Sequence, residues 1–351
     1  MSFLLRRLVR IVPTLFGLSL VTFLVLRLAP GDPALLRFAD PTAPATPHLA
    51  EAIERFREAH LLDRSLVVQY LHYLGPFDLG PEGHRWFGGS GVRPWHGLLA
   101  LDLGHEYLRP QVSVASEIAA RLAVTVPLAL LSALLAYAVA VPLGLFQALR
   151  RGSAFDVGAG LLTLALYSTP VFWAGLVLQL VFGASGLDWL PTLGLRHRDA
   201  ASLDALESAL DLARHALLPV VCMSYAALAY VSRHMRSAVL ECACADYVLA
   251  ARAKGLAERV VVARHVVRNS LLPILTLAGS ILPWLVGGSV AVETVFDIPG
   301  MGKYAIDSLH NREYDAVAGC VLISGAMTAL GFLVSDVLYA WVDPRIRHDR
   351  T

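Results

Sequence analysis

Ser185, in the string Gly183-Ala184-Ser185-Gly186, is the hydroxyl whose neighbours best suit a nucleophile, and His215, opening a later apolar run, is a conceivable base for it. A serine nucleophile needs its base within hydrogen-bond reach, and the sequence spacing does not secure that; small residues at a helix end also form turns. Cys242 and Cys244 invite a metal reading. On a helix, residues two apart point about 200° away from each other, and no His or Cys cluster completes a ligand set, so no metal is expected. A glycine-rich phosphate loop of the Walker type is absent from the sequence, which excludes ATP hydrolysis by that route. Ionisable groups inside the apolar runs are almost confined to Asp336, near the end of the last one. A self-powered proton carrier would keep such groups at membrane depth, so the chain reads as a gate driven from outside itself.

A different chemistry, the transmission of force, is suggested by Asp246–Pro273, a basic helix-forming stretch between two runs apolar enough to cross a bilayer. Gly255 can take the left-handed conformation that ends one helix, after which Leu256, Val260, Ala263 and Val267 fall on a single stripe. Glu258, Arg259, Arg264, His265 and Arg268 occupy the other side. Helix, glycine turn and amphipathic helix make a compact knob for a partner's groove. An ordinary basic loop that merely orients the protein would look similar.

The elements that position these residues are membrane helices. The 351 residues are 56% apolar with a mean hydropathy of +0.59, too hydrophobic for an average soluble domain. A hydrocarbon core of about 30 Å needs roughly 20 apolar residues in a helix, and six such runs lie near 9–29, 122–148, 156–183, 215–233, 274–293 and 316–342. The fold class is therefore all-α integral membrane. Arginines gather before the first run, at Arg150 and Arg151, through Arg233–Arg268 and at Arg345, Arg347 and Arg350, which places both termini in the cytoplasm. The organisation is thus 1–29, cytoplasmic N-terminus and first span; 30–121, extracytoplasmic; 122–342, a five-helix core containing the cytoplasmic loop 234–272; and 343–351, a cytoplasmic tail. Of the four cysteines, Cys222 and Cys320 fall in apolar runs and Cys242 and Cys244 on the cytoplasmic side, so a disulfide framework is not expected. Arg27, near the end of the first span, can snorkel toward the outer headgroups. Pro127, Pro142, Pro170, Pro219 and Pro283 lie in or beside spans, where breaks are tolerated if neighbours satisfy the freed carbonyls.

The Asp246–Pro273 segment resembles the EAA loop of the inner-membrane permeases of ATP-binding-cassette importers, in the form found in the dipeptide/oligopeptide (peptide, nickel, opine) branch. The resemblance runs over nearly the whole chain, through LRLAPGDPA at Leu26–Ala34, ARLAVTVPLAL at Ala120–Leu130, YSTPVFW at Tyr167–Trp173, ETVFDIPGMG at Glu293–Gly302, NREYDAV at Asn311–Val317 and VDPRIR at Val342–Arg347. Position 249 is Leu where the general motif starts with Glu, and Gly255–Pro273 is longer than in many sugar permeases; both departures fit the peptide branch. The resemblance implies coupling to an ATPase through Asp246, Ala250, Ala251, Lys254, Gly255, Leu256 and Glu258. It implies a second, homologous permease subunit, two cytoplasmic ATPase subunits carrying ATP and Mg, and an extracytoplasmic substrate-binding protein, with no cofactor on this chain, membrane lipid around it and no nucleic acid. The expected function is peptide import by alternating access in a bacterial inner membrane, the chain itself not being an enzyme. Relatives in the branch that import nickel chelates, opines or peptide antibiotics leave the cargo open. An alternative of another class stands on Gly183–Gly186, which resembles the serine motif of rhomboid-type intramembrane proteases.

Outside the spans, a helical pattern runs from Glu51 through Leu74, with Ile53, Phe56, His60 and Leu61 on one face. The glycine-rich stretch Gly75–His96, with Trp86, Phe87 and Trp95, suits a loop anchored by aromatics at the interface. Another helix is expected at Ser202–Arg214. Glu293, Asp297, Pro299 and Gly300 form a tight turn, either an outer gate or binding-protein contact or a plain connection. Ser168, Thr169 and Gln179 are the expected lining of a tolerant path, although such side chains also pack helices together.

Overall fold

The computed structural model describes residues 2–29, 33–38, 47–75, 97–197, 202–275, 277 and 290–342. Among them the one β contact is an isolated antiparallel bridge between His105 and Ser113. The helices are α1 (Ser2–Leu28), α2 (Pro33–Phe38), α3 (Pro47–Ala59), α4 (Leu66–Leu74), α5 (Val114–Leu149), α6 (Ala154–Ser168), α7 (Val171–Phe182), α8 (Ala205–Ala243), α9 (Asp246–Ala253), α10 (Glu258–Val260), α11 (Val290–Val295), α12 (Met301–His310) and α13 (Tyr314–Val342), with a seven-residue π-helical turn, Val261–Val267, after α10. Four of them carry windows long and apolar enough to cross a membrane, namely Ile11–Leu28, Val114–Leu149, Ala205–Ala243 and Tyr314–Leu333; the bent pair α6–α7 makes a fifth candidate. Most of the expected fifth span 274–293 lies outside the described residues. So do residues 76–96 with Trp86, Phe87 and Trp95, and the tail 343–351. By internal contacts the chain divides into two compact units, Met1–Ala120 with Ala305–Ala326, and Arg121–Tyr304 with Met327–Thr351.

In the first unit, Phe16 and Phe23 of α1 meet Tyr70 of α4 with ring centroids 6.2 and 5.2 Å apart. A Cβ on Gly325 of α13 would lie 2.2 Å from Leu18 Cδ2, so a side chain there would turn the Leu18 methyl aside from its place against α13. The pattern expected to be one helix over Glu51–Leu74 is two. Leu61 takes φ 55°, and the bonds Leu61 N–H to Glu58 O and Leu62 N–H to Arg57 O end α3 in a Schellman turn. A leucine is strained there, but its side chain is only 2% exposed, and that burial offsets the strain. Arg27 does not reach outward. Its guanidinium lies 5.8 Å from the Phe23 ring and 5.5 Å from the Tyr314 ring, drawn inward by the aromatic faces.

In the second unit, the expected third span 156–183 is broken: α6 and α7 meet at 104°. Pro170 has no N–H to continue the ladder and pushes Thr169 into the extended region, φ −83° and ψ 125°. By contrast Pro127, Pro142 and Pro219 sit inside α5 and α8 without ending them. The expected helix Ser202–Arg214, the span 215–233 and the start of the cytoplasmic loop are one helix, α8, of 39 residues, opened by a reciprocal capping box between Asp204 and Glu207. A Cβ on Gly144 would stand 2.4 Å from Ser232 O, which holds α5 close against α8. Asp156, its side chain only 7% exposed, ties α6 to α8 through a fork: Arg236 Nε donates to Oδ1 at 2.7 Å and Nη2 to Oδ2 at 2.8 Å. Asp156→Ala is expected to lower stability by about 1–3 kcal/mol, the scale of charge-assisted hydrogen bonds. Thermal unfolding in detergent should then show that adding Arg236→Ala costs little more.

Candidate functional site

The Asp246–Pro273 segment is built as a corner anchored to the transmembrane core. After α9 the chain turns at Gly255, φ +77°, where Gly255 N–H donates to Arg252 O at 2.9 Å and Leu256 N–H to Ala251 O at 3.4 Å. These two bonds are the Schellman pattern, which needs a left-handed residue where Gly255 stands. Arg252 bridges the turn, its Nη2 donating to Glu258 Oε1 at 2.7 Å and its Nε to Oε2 at 3.2 Å. The guanidinium holds the Glu258 carboxyl below its ordinary range, so the bridge persists at neutral pH and weakens only as acid protonates Glu258. Val248 and Ala251 are buried with Val261, Val266 and Ile274 against Ala140 and Ala148 of α5 and Val231, Met235 and Val239 of α8.

The structure divides the expected coupling residues into two groups. Asp246, Ala250, Lys254, Gly255, Leu256 and Glu258 are exposed, whereas Ala251, 5% exposed, is part of the chain's own core and supports the corner. The expected stripe Leu256, Val260, Ala263 and Val267 is not the buried one. The π-helical turn spaces the inward positions five apart, so Val261 and Val266 face the core, while Leu256 and Val260 stay 41% and 43% exposed. Tyr247 and Leu249, at 44% and 52%, are exposed as well, so the anchored corner carries four exposed large apolar side chains.

Glu293, expected at a gate turn, is 1% exposed and works as an acceptor for surrounding groups. Its Oε1 accepts from Thr125 Oγ1 at 2.8 Å and its Oε2 from Lys303 N–H at 2.9 Å, with Gly302 N–H also on the carboxylate. Thr125 Oγ1 in turn accepts from Met301 N–H at 2.8 Å. The carboxylate therefore caps the N-terminus of α12 from outside that helix, satisfying donors that a helix start leaves open. Gly300 lies against it with no room for a side chain, since a Cβ there would be 2.4 Å from Glu293 Cδ. Asp297, exposed at φ 52°, pairs with Lys303 at 3.1 Å, and the carbonyl of Pro299 accepts from Arg121 at 3.4 Å. Sequence reasoning missed Thr125, Arg121 and Lys303. The available signal was only that the motifs Ala120–Leu130 and Glu293–Gly302 each carry polar groups beside an apolar run. In the first unit, two other motifs meet in the same way, Arg27 of Leu26–Ala34 on Tyr314 of Asn311–Val317.

Of the expected path-lining residues, Ser168 and Thr169 are tied to their own helix, through Leu164 O at 2.9 Å and Ala165 O at 2.8 Å. Gln179 Nε2 donates to Thr192 O at 3.0 Å and Val295 O at 2.8 Å, pinning α7 to the loop behind it and to α11. Gln179→Leu should leave both carbonyls without that donor and cost about 1–3 kcal/mol, while Ser168→Ala should move the melting temperature little. Ser185 makes no hydrogen bond with His215, whose Nδ1 faces Asp211, 2.9 Å from its carbonyl and 3.1 Å from Oδ1; the nucleophile reading therefore lacks its base. The described residues contain no group of three His, Cys, Asp or Glu side chains that could hold a metal.

Comparison with known proteins places these features in context. Residues 140–348 match the family described as binding-protein-dependent transport system inner membrane component, and residues 1–129 match its N-terminal membrane component. The chain is similar to the di/tripeptide transport system permease protein DppB of Pseudomonas aeruginosa, 36% identical over 363 residues that cover 100% of both chains. It is also similar to the oligopeptide transport system permease protein AppB of Bacillus subtilis, 33% identical with 99% of each chain covered. The dipeptide transport system permease protein DppB of Escherichia coli (strain K12) is 32% identical with 100% of each covered.

Proposed function

The chain belongs to the family of binding-protein-dependent transport system inner membrane components, and on that premise we propose that it is the permease subunit through which an ATP-driven importer moves short peptides into the cytoplasm. The observation that carries the reading is the anchored corner at Gly255, with Tyr247, Leu249, Leu256 and Val260 exposed on a segment whose other face is locked into α5 and α8. A surface of that kind both fits a partner's groove and passes the partner's displacement to the membrane helices. Peptide cargo is supported by the relatives, which are permeases of dipeptide, di/tripeptide and oligopeptide systems along their full length.

In this reading Asp246, Ala250, Lys254, Gly255, Leu256 and Glu258 meet a cytoplasmic ATPase, with Ala251 behind them. ATP and Mg sit on two such subunits and no cofactor is held here. A second homologous permease completes the path, the extracytoplasmic binding protein delivers cargo, and both termini are cytoplasmic. The turn Glu293–Gly300 lies at the outer mouth. Affinity purification of the tagged chain from mild detergent, with mass spectrometry and an ATPase assay, tests the assembly. Co-purifying ATPases and a second permease, with hydrolysis stimulated by binding protein plus peptide, support it. A chain that purifies alone, with no nucleotide-hydrolysing partner, overturns it, and stimulation by nickel chelates or opines but not peptides overturns the cargo alone.

A further inference from the structure

The first unit holds a partly open cavity of about 370 Å³, within the roughly 300–1,000 Å³ range of small-molecule sites. Its walls are aromatic: Phe23, Phe56, Tyr73, Tyr107 and Tyr314 all line it. Its polar groups are of both signs and incompletely matched. Arg27 Nη1 and the Tyr73 hydroxyl are buried without a hydrogen-bond partner, and both are donors. Gln69 is 6% exposed; its Nε2 donates to Arg64 O at 2.8 Å, but its Oε1, an acceptor, has no partner. Asp315 also lines the cavity. Its Oδ1 accepts from the Tyr107 hydroxyl at 3.4 Å, and no ion pair joins it to Arg27. Buried polar atoms are seldom left unmatched, because each one costs free energy unless something fills its valence.

We propose that this cavity binds a small zwitterion with an apolar side chain, a free amino acid. Its carboxylate takes the Arg27 Nη1 and Tyr73 donors, its ammonium takes Gln69 Oε1 and the Asp315 carboxylate, and its side chain lies among the rings. An acyl chain would suit the rings but would leave four polar groups bare, and a simple anion would leave Gln69 and Asp315 unanswered. None of the lining residues belongs to the Gly255 corner or the Glu293 turn, and the inference stands whatever cargo the importer carries.

The test is calorimetric titration of the full chain, with its co-purified partners, in lipid nanodiscs. The probes are phenylalanine, phenylalaninamide, N-acetylphenylalanine and the doubly blocked N-acetylphenylalaninamide. Saturable phenylalanine binding is expected, at least about tenfold weaker for each singly blocked analogue, the scale of one charge-assisted hydrogen bond. Arg27→Gln should erase the preference for phenylalanine over its amide. Tyr73→Phe, which removes one hydroxyl and no packing, should weaken binding about fivefold and serves if the arginine variant fails to fold. Four results would each overturn the site: no binding, equal binding of the doubly blocked analogue, affinity unchanged in both variants, or a retained lipid that phenylalanine does not displace. Peptide import measured in parallel separates this failure from failure of the importer reading, since import in an unmodified chain depends on neither outcome.

Discussion

Gly255→Val is expected to lower substrate uptake by about tenfold or more while the chain inserts into the membrane at normal level. The position has φ +77° and open space around it, since a Cβ there meets nothing within 4 Å. The cost of a side chain is therefore purely one of backbone conformation, about 1–2 kcal/mol for an ordinary L-residue and more for a β-branched one. The substituted chain would relieve that strain by leaving the left-handed region, which breaks the Leu256 N–H to Ala251 O bond and pulls Glu258 away from Arg252. The exposed Leu256 and Val260 are then no longer held in place relative to α9, and a free-energy loss of about 1.4 kcal/mol at the partner contact already weakens its affinity about tenfold. Asparagine tolerates the same conformation, so Gly255→Asn should keep uptake within about twofold and Gly255→Ala should fall between. The measurements are uptake and binding-protein-stimulated ATP hydrolysis at matched expression. Wild-type coupling in the valine variant would remove the corner from the transport mechanism.

The sequence carried the helical, membrane-spanning character plainly, because hydropathy over a span sums many residues and does not depend on partners. It also carried Gly255, because a glycine after DYVLAARAK has a local reason to be there. It did not carry the inward face that follows, since a π-helical turn changes the period on which any stripe is counted, and Val261 and Val266 are recognisable as core only once that turn is known. The break at Pro170 was visible as a proline but not as a 104° bend, because Pro127 and Pro219 have the same chemistry and leave their helices unbroken. From sequence Arg27 points outward because snorkelling is the solution for an isolated helix; Tyr314, far off in sequence, supplies the alternative. The Glu293 site shows the same limit, since a carboxylate in a turn motif looks exposed until Thr125 and the first amides of α12 are placed around it.

That site supplies the other large effect. Gly300→Ala should destabilise the protein by about 3–5 kcal/mol, because the new methyl would overlap Glu293 Cδ at 2.4 Å and both carboxylate oxygens at 2.5 Å. The carboxylate is not free to swing aside. It is held on one oxygen by Thr125 and on the other by Lys303 N–H, and moving it strands the amides that open α12. Glu293→Ala should be costly for the same reason, leaving the Thr125 hydroxyl and those amides without their acceptor. The double variant distinguishes this account from general fragility of the turn: with the glutamate side chain gone, the alanine methyl has room, so Gly300→Ala should add under about 1 kcal/mol to the cost of Glu293→Ala. Thermal unfolding of the four proteins in detergent measures the cycle, and simple additivity would mean that the glycine is required for something other than this carboxylate. A non-additive result has a mechanical consequence. The turn Asp297–Gly300, the start of α12 and Thr125 of α5 would then move as one body, so any motion of this turn must carry the whole cap with it or expose a buried carboxylate in the process.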